Sequence, residues 1–105
     1  MQGPVQRSES EQRLVEEETA KLALYHYATC GFSMRVRHAI AALSLNVELR
    51  DIHQDRDNLG ALLAGGGRST VPCLRIEDDE SVQWMYESAD IVRYLVERFT
   101  PEELT

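Results

Sequence analysis

Apolar positions are sparse and irregular through residue 20 and become ordered after it. Leu22-Ala23-Leu24-Tyr25-His26-Tyr27 is a short, largely apolar run of the kind a buried central strand shows. Beyond Thr29-Cys30-Gly31, the residues Val36, Ile40 and Leu43 fall three and four apart, which places them on one face of a helix; Asn46 is expected to end it. Val47 to Ile52 alternates as a second strand does, and the helix between the strands makes a βαβ unit whose strands run parallel. A shorter helix is expected over Asp57 to Ala64, ended by Gly65-Gly66-Gly67, which take left-handed backbone at low steric cost. Pro72 to Ile76 and Ser81 to Tyr86 read as strands around the acidic turn Glu77 to Glu80, a link short enough to imply an antiparallel hairpin. A last helix starts near Ser88, carries Ile91, Val92, Leu95, Val96 and Phe99 on its apolar side, and stops before Pro101. The order is β-α-β-α-β-β-α, an α/β fold.

The stretch ahead of the first strand has a different character. Residues 1–20 set Glu9, Glu11, Glu16, Glu17 and Glu18 around a thin apolar group of Leu14, Val15 and Ala20. Ser8 followed by Glu11 fits a capping box and a short helix; a solvated extension that frays is the alternative. The chain therefore divides into a polar extension, 1–20, and a folded domain, 21–105.

Length and charge narrow what this domain does. At 105 residues there is core enough for one domain and not for two. The hydrophobic fraction of 43% with 28% charged residues suits a soluble globular protein. No apolar run approaches the roughly 20 residues that cross a bilayer, and the N-terminus lacks the basic-then-apolar order of a secretion signal. No membrane partner is expected, and the cytoplasm is the expected location. The net charge of -7 argues against sequence-independent nucleic-acid binding, because most of the surface would repel the phosphates. Of the 2 cysteines, neither sits in a CxxC or in a zinc spacing.

Cys30-Gly31-Phe32-Ser33 stands at the first strand-to-helix junction, Thr70-Val71-Pro72 precedes the third strand, and Tyr86-Glu87-Ser88-Ala89-Asp90-Ile91 opens the last helix. In order and spacing these segments resemble the glutaredoxin branch of the thioredoxin superfamily, in its monothiol form. The Glu-Ser-x-x-Ile pattern of the third is also similar to the N-terminal domain of glutathione transferases. The resemblance implies a thioredoxin-like fold, a four-stranded mixed sheet with helices on both faces.

Cys30 lies where the first helix of the domain begins, so unpaired N–H groups and the positive end of the helix dipole point toward its sulfur. A thiolate, the attacking species in disulfide exchange, is stabilised there, and Arg35 and Arg37 are candidate sources of further positive potential. The plainer reading is an inert, half-buried cysteine. The resemblance makes Cys30 the nucleophile and puts Ser33 where dithiol members carry a second cysteine, so a mixed disulfide has to be resolved by an outside thiol such as glutathione. Ser33 itself either hydrogen-bonds the thiolate or satisfies the first helical turn. Pro72 resembles the family's cis-proline, which leaves the Val71 backbone free to pair with the glutathione cysteinyl group; a trans proline starting an edge strand is the alternative. Ser88 and Asp90 are standard capping choices. The resemblance adds the γ-glutamyl carboxylate at that helix terminus, with Glu87 or Asp90 receiving the amino group. Arg68 stands near where the family holds the glycyl carboxylate, or is a plain loop arginine. Tyr27 departs from the pattern, since many glutaredoxins carry a lysine three residues before the active cysteine. Cys73 follows Pro72 directly, and strand alternation turns it away from Cys30, toward a core role and away from a Cys30–Cys73 disulfide. His26 and Trp84 are expected to serve strand packing.

Three functions compete. The first is a thiol–disulfide oxidoreductase that uses glutathione and acts on glutathionylated protein thiols. The second is a [2Fe–2S] carrier in which Cys30 from each of two copies and two glutathiones ligate the cluster, making the protein a dimer where it is otherwise a monomer. Those carriers have a Trp-Pro-Thr-x-Pro segment where this chain reads Arg68-Ser69-Thr70-Val71-Pro72. The third is a glutathione-binding, transferase-like module without the all-helical half, which a chain ending at Thr105 is expected to lack.

Overall fold

The computed structural model describes residues 3–101; the outer ends of the two expected segments, 1–2 and 102–105, lie outside them. Its elements are α1 (Glu9–Thr19), β1 (Leu22–His26), α2 (Gly31–Ala42), β2 (Glu48–Asp51), α3 (Arg56–Gly66), β3 (Cys73–Glu77), β4 (Val82–Tyr86) and α4 (Ser88–Phe99). From β1 onward this is the order read from the sequence, and the fold is thioredoxin-like. The four strands form one sheet, ordered β2-β1-β3-β4. β1 runs parallel to β2 and antiparallel to β3, and β3 and β4 make the hairpin. With β1 inside the sheet and covered on both faces, all of its residues are buried, which explains its unbroken apolar run.

The pleat of the sheet divides the core. Leu22, Leu24 and Leu74 pack with Val36, Ile40 and Leu43 on one side of the sheet, together with Ile91, Leu95 and Phe99 of α4. Tyr25 and Cys73 face the other way, against Ile52 and Leu62. So α2 and α4 cover one face and α3 the other. Leu62 is the buried anchor of α3, and burying one leucine contributes about 1.5–3 kcal/mol.

Several helix ends differ from the sequence expectation, each for a local reason. α2 stops at Ala42, ahead of Asn46, because Ser44 takes left-handed backbone at φ 55°. The Ser44 N–H then donates to the Ala41 carbonyl at 3.1 Å and the Leu45 N–H to that of Ile40 at 3.0 Å, which closes the helix. α3 continues through Gly65 and Gly66, and only Gly67, at φ 87°, ends it. Gly65 lies under the Trp84 ring and Gly66 against the Tyr86 hydroxyl, where a Cβ would overlap those groups. The bare backbone lets α3 close on β4. α4 starts at Ser88, but its N-cap is Glu87 at φ 73°, with no side-chain hydrogen bond; Ser88 sits inside the helix and does not cap it, while Asp90 is the expected acid of its first turn.

The polar segment forms α1, and its capping box is made: the Glu11 N–H donates to Ser8 Oγ at 3.2 Å and the Ser8 N–H to the Glu11 carboxylate at 3.1 Å. The Arg7 guanidinium donates to the Leu43 carbonyl at 2.8 Å and to the Phe99 carbonyl at 2.5 Å. The Val5 N–H reaches the Ala42 carbonyl at 2.8 Å. These bonds tie the segment to the C-terminal ends of α2 and α4.

Candidate active site

β1 ends at His26, and a turn closed by a 3.1 Å bond from the Cys30 N–H to the Tyr27 carbonyl leads into α2. Cys30 is the N-cap of α2 in extended backbone, and its sulfur accepts the Ser33 N–H at 3.4 Å. The thiol points at the Val71 carbonyl at 4.0 Å, long even for a sulfur hydrogen bond. The Val71–Pro72 peptide is cis, and this segment forms the wall facing the sulfur.

Burial pushes the Cys30 thiol up, but the Ser33 hydroxyl, the backbone N–H groups of Ser33 and Phe32 and the Tyr27 side chain outweigh it, and the thiol lies below its ordinary value. Ser33 Oγ is fully buried and has no well-aligned partner beside the neutral thiol. A hydroxyl proton is free to rotate, so turning toward the sulfur gives Ser33 its bond once the thiolate forms. Arg35 and Arg37 are not among the groups acting on the sulfur. Arg37 bears instead on His26, a buried strand residue that burial, then Arg37, holds below the ordinary histidine range.

Val71, Pro72, Glu87 and Ser88 come together with Phe32, Thr70 and Tyr86 around a pocket of about 150 Å³. Arg68 and Asp90 open instead on an adjoining groove of about 550 Å³ that shares Tyr86 and Glu87 with the pocket. The Arg68 guanidinium lies over the Tyr86 ring, 4.1 Å from its centre, and the Tyr86 hydroxyl donates to the Arg68 carbonyl at 3.0 Å. Cys73 is fully buried, and burial pushes its thiol up to about 11; both cysteines are free. Trp84 packs 5.5 Å from Tyr25, centre to centre, as a strand-packing residue should.

The sequence reading passed over Tyr86 and Phe32. Both carried a signal, an aromatic side chain directly beside Glu87-Ser88 in one case and beside Cys30-Gly31 in the other. At the start of α4 the first N–H groups have no side-chain cap, and together with the helix dipole they make a seat for an anion.

A family model described as "Glutathione S-transferase, N-terminal domain" matches residues 24–103. No curated protein matches the chain. Among solved structures, maleylacetoacetate isomerase from Anaeromyxobacter dehalogenans, with GSH bound in its active site, is 29% identical over 75% of this chain and 38% of its own, with a TM-score of 0.59. Glutathione transferase E6 from Drosophila melanogaster is 27% identical over 79% of this chain and 37% of its own, with a TM-score of 0.62. Glutathione transferase Omega 2C from Trametes versicolor, at 22% identity and a TM-score of 0.64, shows the same fold. The chain spans less than two fifths of the length of each. These matches fall on the transferase side of the resemblance.

Proposed function

The chain belongs to the family of glutathione S-transferase N-terminal domains, and from that membership we propose a glutathione-dependent thiol–disulfide oxidoreductase whose nucleophile is Cys30. The observation that carries the reading is a thiol held below its ordinary value at the N-cap of α2, beside the cis Val71–Pro72 segment.

The Cys30 thiolate attacks the glutathione sulfur of a glutathionylated protein thiol. A Cys30–glutathione disulfide forms, the original disulfide breaks, and its electron pair leaves on the protein thiolate, which takes a proton from water. A second glutathione, as its thiolate, attacks the bound glutathione sulfur, releasing oxidised glutathione and returning Cys30 to the thiolate. With Ser33 in place of a second thiol, and with Cys73 buried and its thiol raised to about 11, resolution falls to the second glutathione. In this reading the γ-glutamyl carboxylate meets the open N–H groups of α4 beside Ser88, Glu87 or Asp90 receives the amino group, and the Val71 backbone pairs with the cysteinyl unit. Arg68 shares its groove with Glu87 and Asp90, which favours a contact at the γ-glutamyl end over the glycyl end. For the iron–sulfur alternative, one cysteine per copy remains the whole support.

Deglutathionylation of a model protein, followed with Cys30→Ser as control, tests the proposal: the wild type turns over and the variant does not. Equal inactivity of the two overturns it. Cys30 is only 7% exposed, which favours one second reading, a module that binds glutathione without turnover; glutathione binding by an inactive wild type identifies that case.

A further inference from the structure

β2 is one edge of the sheet, and no strand among the described residues pairs with its outer side. The Ile52 N–H donates to the His26 carbonyl at 2.9 Å. By the two-residue period of a strand, Arg50 and Glu48 also aim their backbone groups at β1, and Leu49 aims its N–H and carbonyl outward. The Leu49 side chain is exposed on the α2 face of the sheet, beside its β1 partner Leu24. There it walls a mostly apolar groove of about 430 Å³ with Met34, Ile40, Leu45 and Val47, and Met34 is exposed as well. An open strand edge and an apolar groove thus meet at one residue.

Charged side chains guard many edge strands against pairing. Here the charges are Glu48 and Arg50, one residue to either side of Leu49. They share the α3 face, where the Arg50 guanidinium donates to Glu48 at 2.6 Å and to the Tyr25 hydroxyl at 2.7 Å. Their opposite signs make the guard selective. When two copies of β2 run antiparallel about Leu49, Glu48 of each stands opposite Arg50 of the other, whereas an in-register parallel pairing sets like charges together.

We propose that the β2 edge is a self-association surface, on which two copies of this chain pair antiparallel about Leu49 and continue the sheet across a two-fold axis. The Leu49 N–H of each copy donates to the Leu49 carbonyl of the other, as in the hydrogen-bonded pair of an antiparallel ladder. The two Leu49 side chains lie opposite each other on the α2 face, so the two grooves run together. Glu48 and Arg50 form a four-charge cluster on the other face. A contact this small makes a weak, reversible dimer. The groove shares no residue with the Val71–Ser88 pocket, and the inference stands whatever Cys30 does.

Sedimentation equilibrium of the full chain over a wide concentration range tests it, with reductant present so that no disulfide joins copies. The wild type is expected to dimerise reversibly. Leu49→Lys sets two like charges opposite each other, and Glu48→Arg sets arginine against Arg50. Both change exposed side chains, and each should weaken the dimer by about tenfold or more. Mixing Glu48→Arg with Arg50→Glu should restore a dimer of one copy of each, since every facing pair is again of opposite sign. If Arg50→Glu fails to fold without its Tyr25 bond, the two exposed variants still decide. Val82→Lys, on the opposite edge strand β4, should leave the dimer intact. The Leu49 amide should gain protection from hydrogen exchange as concentration rises, while that of Arg50, already bonded within the sheet, stays as it is. A wild type that remains monomeric throughout, its edge left to another protein's strand or its groove to a small apolar ligand, overturns the proposal. So does a dimer that survives Leu49→Lys and Glu48→Arg, or one that Val82→Lys abolishes.

Discussion

Cys73 lies on β3 among Tyr25, Ile52 and Leu62, and those apolar surroundings push its thiol up to about 11 because a thiolate there would lose its hydration. Cys30 lies nearer the surface, where burial costs its thiolate less, and it lies low because hydroxyl and backbone donors converge on it. One residue type thus takes two characters from local donors rather than from burial alone. The Cys73 shift has a consequence for stability. Its folded value lies above the ordinary 9.0, so its stabilising contribution is full below that pH and is lost as pH rises through about 11. Denaturant midpoints followed across this alkaline window should fall more steeply in the wild type than in Cys73→Val. At this scale the place of Cys30 was legible from its motif, and the inward turn of Cys73 from strand alternation. The stack of His53 on Tyr27 was not, because it joins two turns that meet only once β1 and β2 pair.

At the scale of elements, α3 shows how a neighbour overrides a local signal. Three consecutive glycines read as a stop, but two of them are helical, since β4 sets Trp84 and Tyr86 where side chains at 65 and 66 would stand. Gly60, on the exposed side of the same helix, has nothing near its Cβ position. The glycines should therefore answer the same substitution with opposite signs. Gly60→Ala is expected to stabilise by roughly 0.5–1 kcal/mol through backbone entropy. Gly65→Ala is expected to destabilise by about 1–3 kcal/mol, because the half-buried Trp84 has to move. Thermal melts of the two variants check the pair. The end of α2 carries the same lesson in reverse: no glycine marks it, and Ser44 takes the left-handed conformation with its hydroxyl bonded to the Val5 carbonyl.

Across the whole molecule, Arg7 joins parts that lie far apart in the chain. Its guanidinium spans the carbonyl ends of α2 and α4, where the helix dipoles are negative and a cation is favoured. Arg7→Ala should lower unfolding stability by about 1–3 kcal/mol, as expected for charge-assisted bonds to otherwise unpaired carbonyls. The site lies at the opposite ends of those helices, so the pH profile of Cys30 alkylation should not change; denaturant titration and alkylation of one variant check both. The sequence by itself determined the element order from β1 onward, the central strand, and Cys30 at the head of α2. Each of these is encoded by a period of two or 3.6 residues and by turn chemistry, which act over a few neighbours. Only the tertiary structure decided that the acidic segment docks through Arg7, that Arg68 stacks on Tyr86 outside the Val71–Ser88 pocket, and that His53 covers Tyr27. Those contacts join residues from different elements, and their geometry exists only once the sheet has set strand order and helix positions.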